Sequence, residues 1–175
     1  MSISLYDASI PGFLRMLRNL SGFLDKAEAH AKTSGASLQT YLDAKLADDM
    51  HPLSRQIQMC SDTSKGPAAR LADVPAPAMP DTETTWAELK ERVAKTLAFL
   101  QSIKPEQVNG REAATVELPL PGGKLTFTAK DFLFQFAIPN HLFHITTAYA
   151  LLRAQGVPLG KMDFLAGGAP VSQAA

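Results

Sequence analysis

Apolar residues recur at intervals of three and four through four long stretches of the chain, and alternate with polar ones through a single short stretch. Ile10, Phe13, Leu14, Leu17, Leu20, Leu24 and Ala27 form the first helical stripe, predicted to run to about residue 32. Ser4 followed by Asp7 reads as its cap, which places Pro11 one or two turns inside, where it would kink the axis. Met16 and Phe23 fall off this stripe and are expected at the surface, free to meet a partner. Leu38, Tyr41, Leu42 and Leu46 then predict a short helix. Pro52 suits the first position of the second long helix and leaves His51 just before it. Leu53, Ile57, Cys60 and Ser64 make the inward stripe of that helix, which should end near Leu71. Arg55, Gln56, Gln58 and Asp62 are assigned to its other sides.

Residues 72–84 hold three prolines in six residues and few branched apolar side chains, the pattern of an exposed linker. Thr85 and Glu88 make a capping box for a third helix, with Trp86, Leu89, Val93, Leu97, Leu100 and Ile103 inward. Lys90, Glu91, Arg92 and Lys95 are placed on its water face, and Pro105 closes it. Val116, Leu118 and Leu120 alternate, Pro121-Gly122-Gly123 turns, and Leu125 and Phe127 alternate again, which predicts a β-hairpin. The Gly-Gly-Lys here lacks the spacing of a phosphate loop. From Thr128 to Gly156 a last helix follows, opened by Thr128 with Asp131 and apolar round most of its circumference, so it is expected inside a bundle. Pro139 should kink it by releasing the Gln135 carbonyl. Phe164 and Leu165 form a terminal anchor. The expected organisation is one domain over 1–165 and a small-residue flexible tail over 166–175.

Charge and composition narrow the function classes. Lys plus Arg equals Asp plus Glu at 17 each, so no electrostatic footprint for a nucleic acid or an anionic membrane exists. No apolar run is long enough to span a bilayer, and the N-terminal stretch lacks a signal-peptide pattern, which reads as a cytoplasmic protein. Cys60 is the single cysteine and reads as a small core residue.

The four histidines are where chemistry would reside. His30 reads as a solvated helix-end residue. His141 and His144, three apart, lie on one side of the last helix, and His51 at a helix start is the natural third donor. Three protein ligands with an open position describe a catalytic zinc or nickel site. The competing reading is structural: imidazoles on apolar faces bonded to a carbonyl or a carboxylate, with Asp48, Asp49 or Asp62 as carboxylates. Asn140 and Tyr149 are candidate pocket residues on the same helix.

The order of long helices, the hairpin before the last one, and the stretches PNHLFHITTAYALLRAQGVPLGKMDFL and MHPLSRQIQMCSDTSKGPAARLA carry a family resemblance. The chain resembles the DinB/YfiT-like superfamily, and within it an uncharacterised bacterial branch classified as a domain of unknown function. This implies an all-α, up-down-down-up four-helix bundle with a long crossover and a small β-hairpin before the last helix. It also implies a homodimer and, in metal-binding members, a metal pocket between helices. The superfamily pattern has one histidine on the second helix and two on the last at spacing four. His51 and His144 match it, Asn140 occupies the remaining position, and His141 is one residue out of register. The resemblance therefore implies an uncharacterised bundle protein with an inter-helix pocket and a degenerate or remodelled metal site. The alternative it implies is a divalent-metal-dependent enzyme, thiol transferase or hydrolase-like, using His51, His141 and His144.

Overall fold

The computed structural model describes residues 2–167. Helix α1 (Ile10–Ser34) follows the first stripe and ends at Gly35, whose φ of 75° is the left-handed conformation glycine adopts without strain. Ser4 and Asp7 do bond, but they close a separate turn, with the Asp7 N–H donating to Ser4 Oγ at 3.2 Å. The helix starts only at Ile10, so Pro11 sits in the first turn, where its missing amide breaks no bond. The kink expected there is absent for that reason.

Helix α2 (Leu38–Asp43) is capped by Ser37, whose Oγ accepts from the Gln39 N–H. Helix α3 (Leu53–Ala72) begins directly after Pro52 and contains Pro67 without ending. Helix α4 (Trp86–Ser102) opens on the Thr85–Glu88 capping box, and a single turn, α5 (Pro105–Val108), follows it. Strands β1 (Thr115–Leu120) and β2 (Gly123–Thr128) pair antiparallel, with Val116 opposite Phe127.

Next come α6 (Ala129–Asp131), a π-helical segment (Phe132–Ala137) and α7 (Ile138–Ala154) as one continuous helix. Thr128 Oγ1 accepts from the Asp131 N–H, as its spacing predicts. The kink expected from Pro139 takes the form of the π turn: the Gln135 carbonyl loses its usual donor, and the backbone widens instead of breaking. Helix α8 (Lys161–Ala166) docks Phe164 against Phe23 and Tyr149. The tail expected from Ala166 onward continues into 168–175, which lie outside the described residues.

Helix α1 packs against α4 and α7, and α3 packs against the same two, which closes a four-helix ring. Just beyond α5, Arg111 Nε donates to the Leu71 carbonyl at 3.1 Å, so the end of α4 lies near the end of α3. The two run the same way, and the crossover between them makes an up-down-down-up bundle. Leu17, Leu20, Leu24, Leu53, Ile57, Leu89 and Phe132 are fully buried between the helices, each contributing about 1.5–3 kcal/mol of transfer free energy.

Several surface assignments are overturned. Met16 and Phe23 are buried, because α8 and α7 cover the side of α1 that carries them. Conversely, the last helix forms one wall of the bundle and is not enclosed by it: Phe134 is 53% exposed and Phe143 56%. Gln56 and Gln58 are buried. Arg92, assigned to water, has a side chain only 1% exposed. Its guanidinium meets Asp62 at 2.8 Å, Asp81 at 3.0 Å and Glu83 at 3.0 Å. Two of these carboxylates come from the proline-rich crossover, which is therefore strapped to the bundle. Burial works to raise the carboxyls of Asp81 and Glu83; bonds from Arg55, Arg92 and Gln58 outweigh it and hold both below the usual carboxylate range.

Candidate functional site

The residues singled out by sequence lie at different depths. His51 is exposed in the loop before α3, His144 is half-buried, and His141 is buried between α1, α3 and α7. The protonation of each ring on α7 follows from its neighbour. Thr63 Oγ1 has one hydrogen, which it gives to the Met59 carbonyl at 2.7 Å. Its contact with His141 Nδ1 at 3.2 Å is therefore an acceptance, and His141 carries its proton on Nδ1. Likewise Gln56 Oε1 accepts from His144 Nδ1 at 2.8 Å. Both rings are thereby fixed as the tautomer with a bare Nε2 lone pair.

Burial, with a smaller contribution from His144, depresses the His141 imidazolium to a pKa of about 3, so the ring is neutral at neutral pH. Partial burial also lowers His144, and the charges of His51 and Arg55 act in the same direction. The partners are a threonine and a glutamine; Asp62, one of the carboxylates considered for this role, is engaged with Arg92 and Lys65. His30 is half-buried, its Nδ1 2.7 Å from the Tyr41 hydroxyl, which corrects its reading as a solvated residue.

Among the described residues, no three His, Cys, Asp or Glu side chains gather into a group able to hold a metal ion. The donor set of His51, His141 and His144 does not fit a three-ligand zinc or nickel centre. His141 Nε2 is instead buried with no hydrogen-bond partner, and the Phe13 ring stands edge-on to the imidazole at 5.2 Å. A cavity of about 170 Å³ opens beside it between α1 and α7, walled chiefly by Gly12, Phe13, Met16, Ile138, His141 and Leu142. Neither Asn140 nor Tyr149 lines it. Tyr149 packs edge-on against Phe23 at 5.7 Å and belongs to the α8 contact. Larger open grooves flank the crossover: one of about 520 Å³ is lined by Arg92, Glu83 and Lys95, another of about 540 Å³ by Arg70, Asp73 and Pro75, and neither includes a histidine.

A family model described as a domain of unknown function, DUF1993, matches residues 5–165. The chain belongs to this family. Among solved structures, the DUF1993 chain is similar to the crystal structure of a DinB family member protein from Shewanella denitrificans. The two are 40% identical, the match covers 98% of this chain and 96% of that one, and the TM-score is 0.86. No curated protein matches. The fold is thus DinB-like, as the two quoted stretches imply. No helix among the described residues of the DUF1993 chain is long and apolar enough to cross a membrane.

Sequence reasoning missed Gln56, Thr63, Gly12 and Phe13 as site residues. A signal existed for the first. Gln56 is three after Leu53 and four before Cys60, so it shares their inward face. Gly12 and Phe13 carry no comparable mark, because a cavity depends on which residues two distant helices bring together.

Proposed function

We propose that this protein is a small-molecule-binding DinB-like bundle in which the superfamily's metal position has been converted to hydrogen bonding. The observation that supports this reading most directly is the assignment of both α7 histidines to neutral partners, Thr63 and Gln56, with the cavity beside His141 left open. A metal ligand also has its second nitrogen held by a neighbour, so the bonds alone do not decide the matter. The reading is further supported by the absence, among the described residues, of three His, Cys, Asp or Glu side chains gathered into a metal-holding group. Elemental analysis of the untagged protein, prepared without chelator, tests the reading beside a His51→Ala, His144→Ala double variant. A metal-free parent that takes up no added zinc or nickel is expected. Near-stoichiometric metal in the parent that vanishes in the double variant would overturn it in favour of the metal-dependent enzyme.

The reading includes a homodimer. Met16 and Phe23 no longer support it, being buried. Phe134, Leu142 and Phe143, exposed along the last helix, support it instead, because a helix apolar on all sides is ordinarily covered on all sides.

A further inference from the structure

We propose that the β1–β2 hairpin is an arm that clasps a second copy of this chain, its uncovered apolar face continuing the exposed stripe of α7 into one interface. This rests on the homodimer reading above and names the element that completes its contact. The register sets the two faces of the arm. Val116, Leu118 and Leu120 pair with Phe127, Leu125 and Gly123, so every apolar side chain of the two strands except Pro119 lies on one face. The other face carries Thr115, Glu117, Lys124 and Thr126, with Glu117 and Lys124 bonded to each other. Among the described residues, the bundle covers the base of the apolar face. Val116 is buried, and the Phe127 ring packs on Phe132 and Phe136 with centroids 6.0 and 6.3 Å away. Toward the turn the same face runs out from the bundle: Leu120 is 45% exposed and Leu125 41%. The face does not stop at the hairpin. Phe136, Pro139 and Phe143 follow one another at spacings of three and four, which puts them on one side of the last helix. An apolar strip therefore passes from Phe127 through Phe136 to Phe143, with Leu142 alongside.

Area decides what the arm adds. Taking about 200 Å² for a large apolar side chain, Leu142 and Phe143 by themselves offer roughly 190 Å², and Leu120 and Leu125 bring the total to roughly 360 Å². The half-buried Leu118 and Phe136 add to it. A stable interface needs about 800 Å² from each partner, a little over half of it apolar. The helix stripe alone falls far short of that apolar share; with the arm it is nearly met. Charge selects the occupant. No Asp, Glu, Lys or Arg occurs within 132–152, and the two charges of the strands sit on the other face, paired. Such a face has no charge with which to recognise a nucleic acid, a charged peptide or an anionic membrane. Against a copy of itself across a two-fold axis it meets an identical uncharged surface, with no like-charge repulsion. Pro119 interrupts the amide donors of β1, which disfavours pairing of arms edge to edge and leaves contact through the faces.

Light scattering on the full-length protein at micromolar concentration should give twice 18.8 kDa. A Leu120→Glu, Leu125→Glu double variant should keep the helical circular dichroism of the wild type while its dimer dissociation constant rises at least about a hundredfold, as expected for apolar anchors of an interface. Thr126→Lys, on the polar face, should remain as dimeric as the wild type. In a sample mixing methyl-labelled and unlabelled wild type, the Leu120 and Leu125 methyls should show intermolecular NOEs, a readout that holds even if the double variant fails to fold. A double variant that folds and stays dimeric, or a wild-type dimer without those NOEs, would overturn the arm while the homodimer reading stands. Dissociation of Thr126→Lys to the same degree would overturn the assignment of the contact to the apolar face. A wild-type monomer would overturn both readings.

Discussion

Arg92→Met should be among the most damaging single substitutions in the crossover region. The wild-type guanidinium bonds Asp62, Asp81 and Glu83, and also reaches the Pro80 carbonyl at 3.3 Å. Methionine keeps much of the stem, so the loss is one of charge and hydrogen bonds more than of packing. Removing one partner of a buried ion pair costs about 3–5 kcal/mol, because the other charge stays buried and unpaired. Asp62 and Asp81 are each 36% exposed and rehydrate, and Arg55 still holds Asp81, whereas Glu83 at 14% has little access to water. That discount puts the expected loss at the lower end, about 3 kcal/mol. For a chain of this length the melting temperature should fall by roughly 6–12 °C. Thermal melts followed by circular dichroism measure the loss, and limited proteolysis reads its location, with faster cleavage expected within 73–85. A destabilisation below about 1 kcal/mol together with unchanged cleavage would refute the strap as a structural element.

Other outcomes follow from single groups. His141, ordinarily near 6.5 and depressed to about 3 in the folded chain, stays neutral where the unfolded chain takes up a proton. Its contribution is therefore complete above the unfolded value and declines as pH falls toward the folded one, by about 1.4 kcal/mol per unit, or ~2 kcal/mol by pH 5. The stability difference between wild type and His141→Phe should narrow or invert over that window; parallel curves would contradict the burial of a neutral ring. Cys60 is fully buried and its thiol pushed far up by burial, so it should resist thiol reagents in the native state and react only as the chain unfolds. Stoichiometric labelling of the folded protein within minutes would refute this. For the dimer, light scattering should give twice 18.8 kDa for the wild type and 18.8 kDa for Phe143→Glu. A wild-type monomer at micromolar concentration defeats that reading.

The elements were legible because their signals are local. Periodicity at three and four marks α1, α3, α4 and α7, the Thr85–Glu88 box opens α4, and alternation marks the hairpin. Errors came where a neighbour decides. Arg92 has Lys90, Glu91 and Lys95 around it in sequence and looks like part of a charged face. Its burial comes from acids some ten or thirty residues away, which no local pattern reveals. Met16 and Phe23 lay off the α1 stripe only while α8 was unknown as a covering element.

The register of α7 explains why two histidines on one helix make two separate arrangements. At about 100° per residue, positions three apart are offset by roughly 60° and positions four apart by roughly 40° in the other sense. With its imidazole at 141, the chain turns that ring into the bundle against Phe13 and Thr63, while His144 Nδ1 donates to Gln56 Oε1, seven residues before Thr63 on α3. Asn140 is half-buried and outside the cavity wall. Spacing three thus leaves one ring buried against α1 and α3 and the other half-buried. Pro139 and the π turn lie immediately before this point, where the backbone has already given up α-helical spacing. The hydrogen bonds to Thr63 and Gln56, placed seven residues apart on α3, hold the two rings at these different depths.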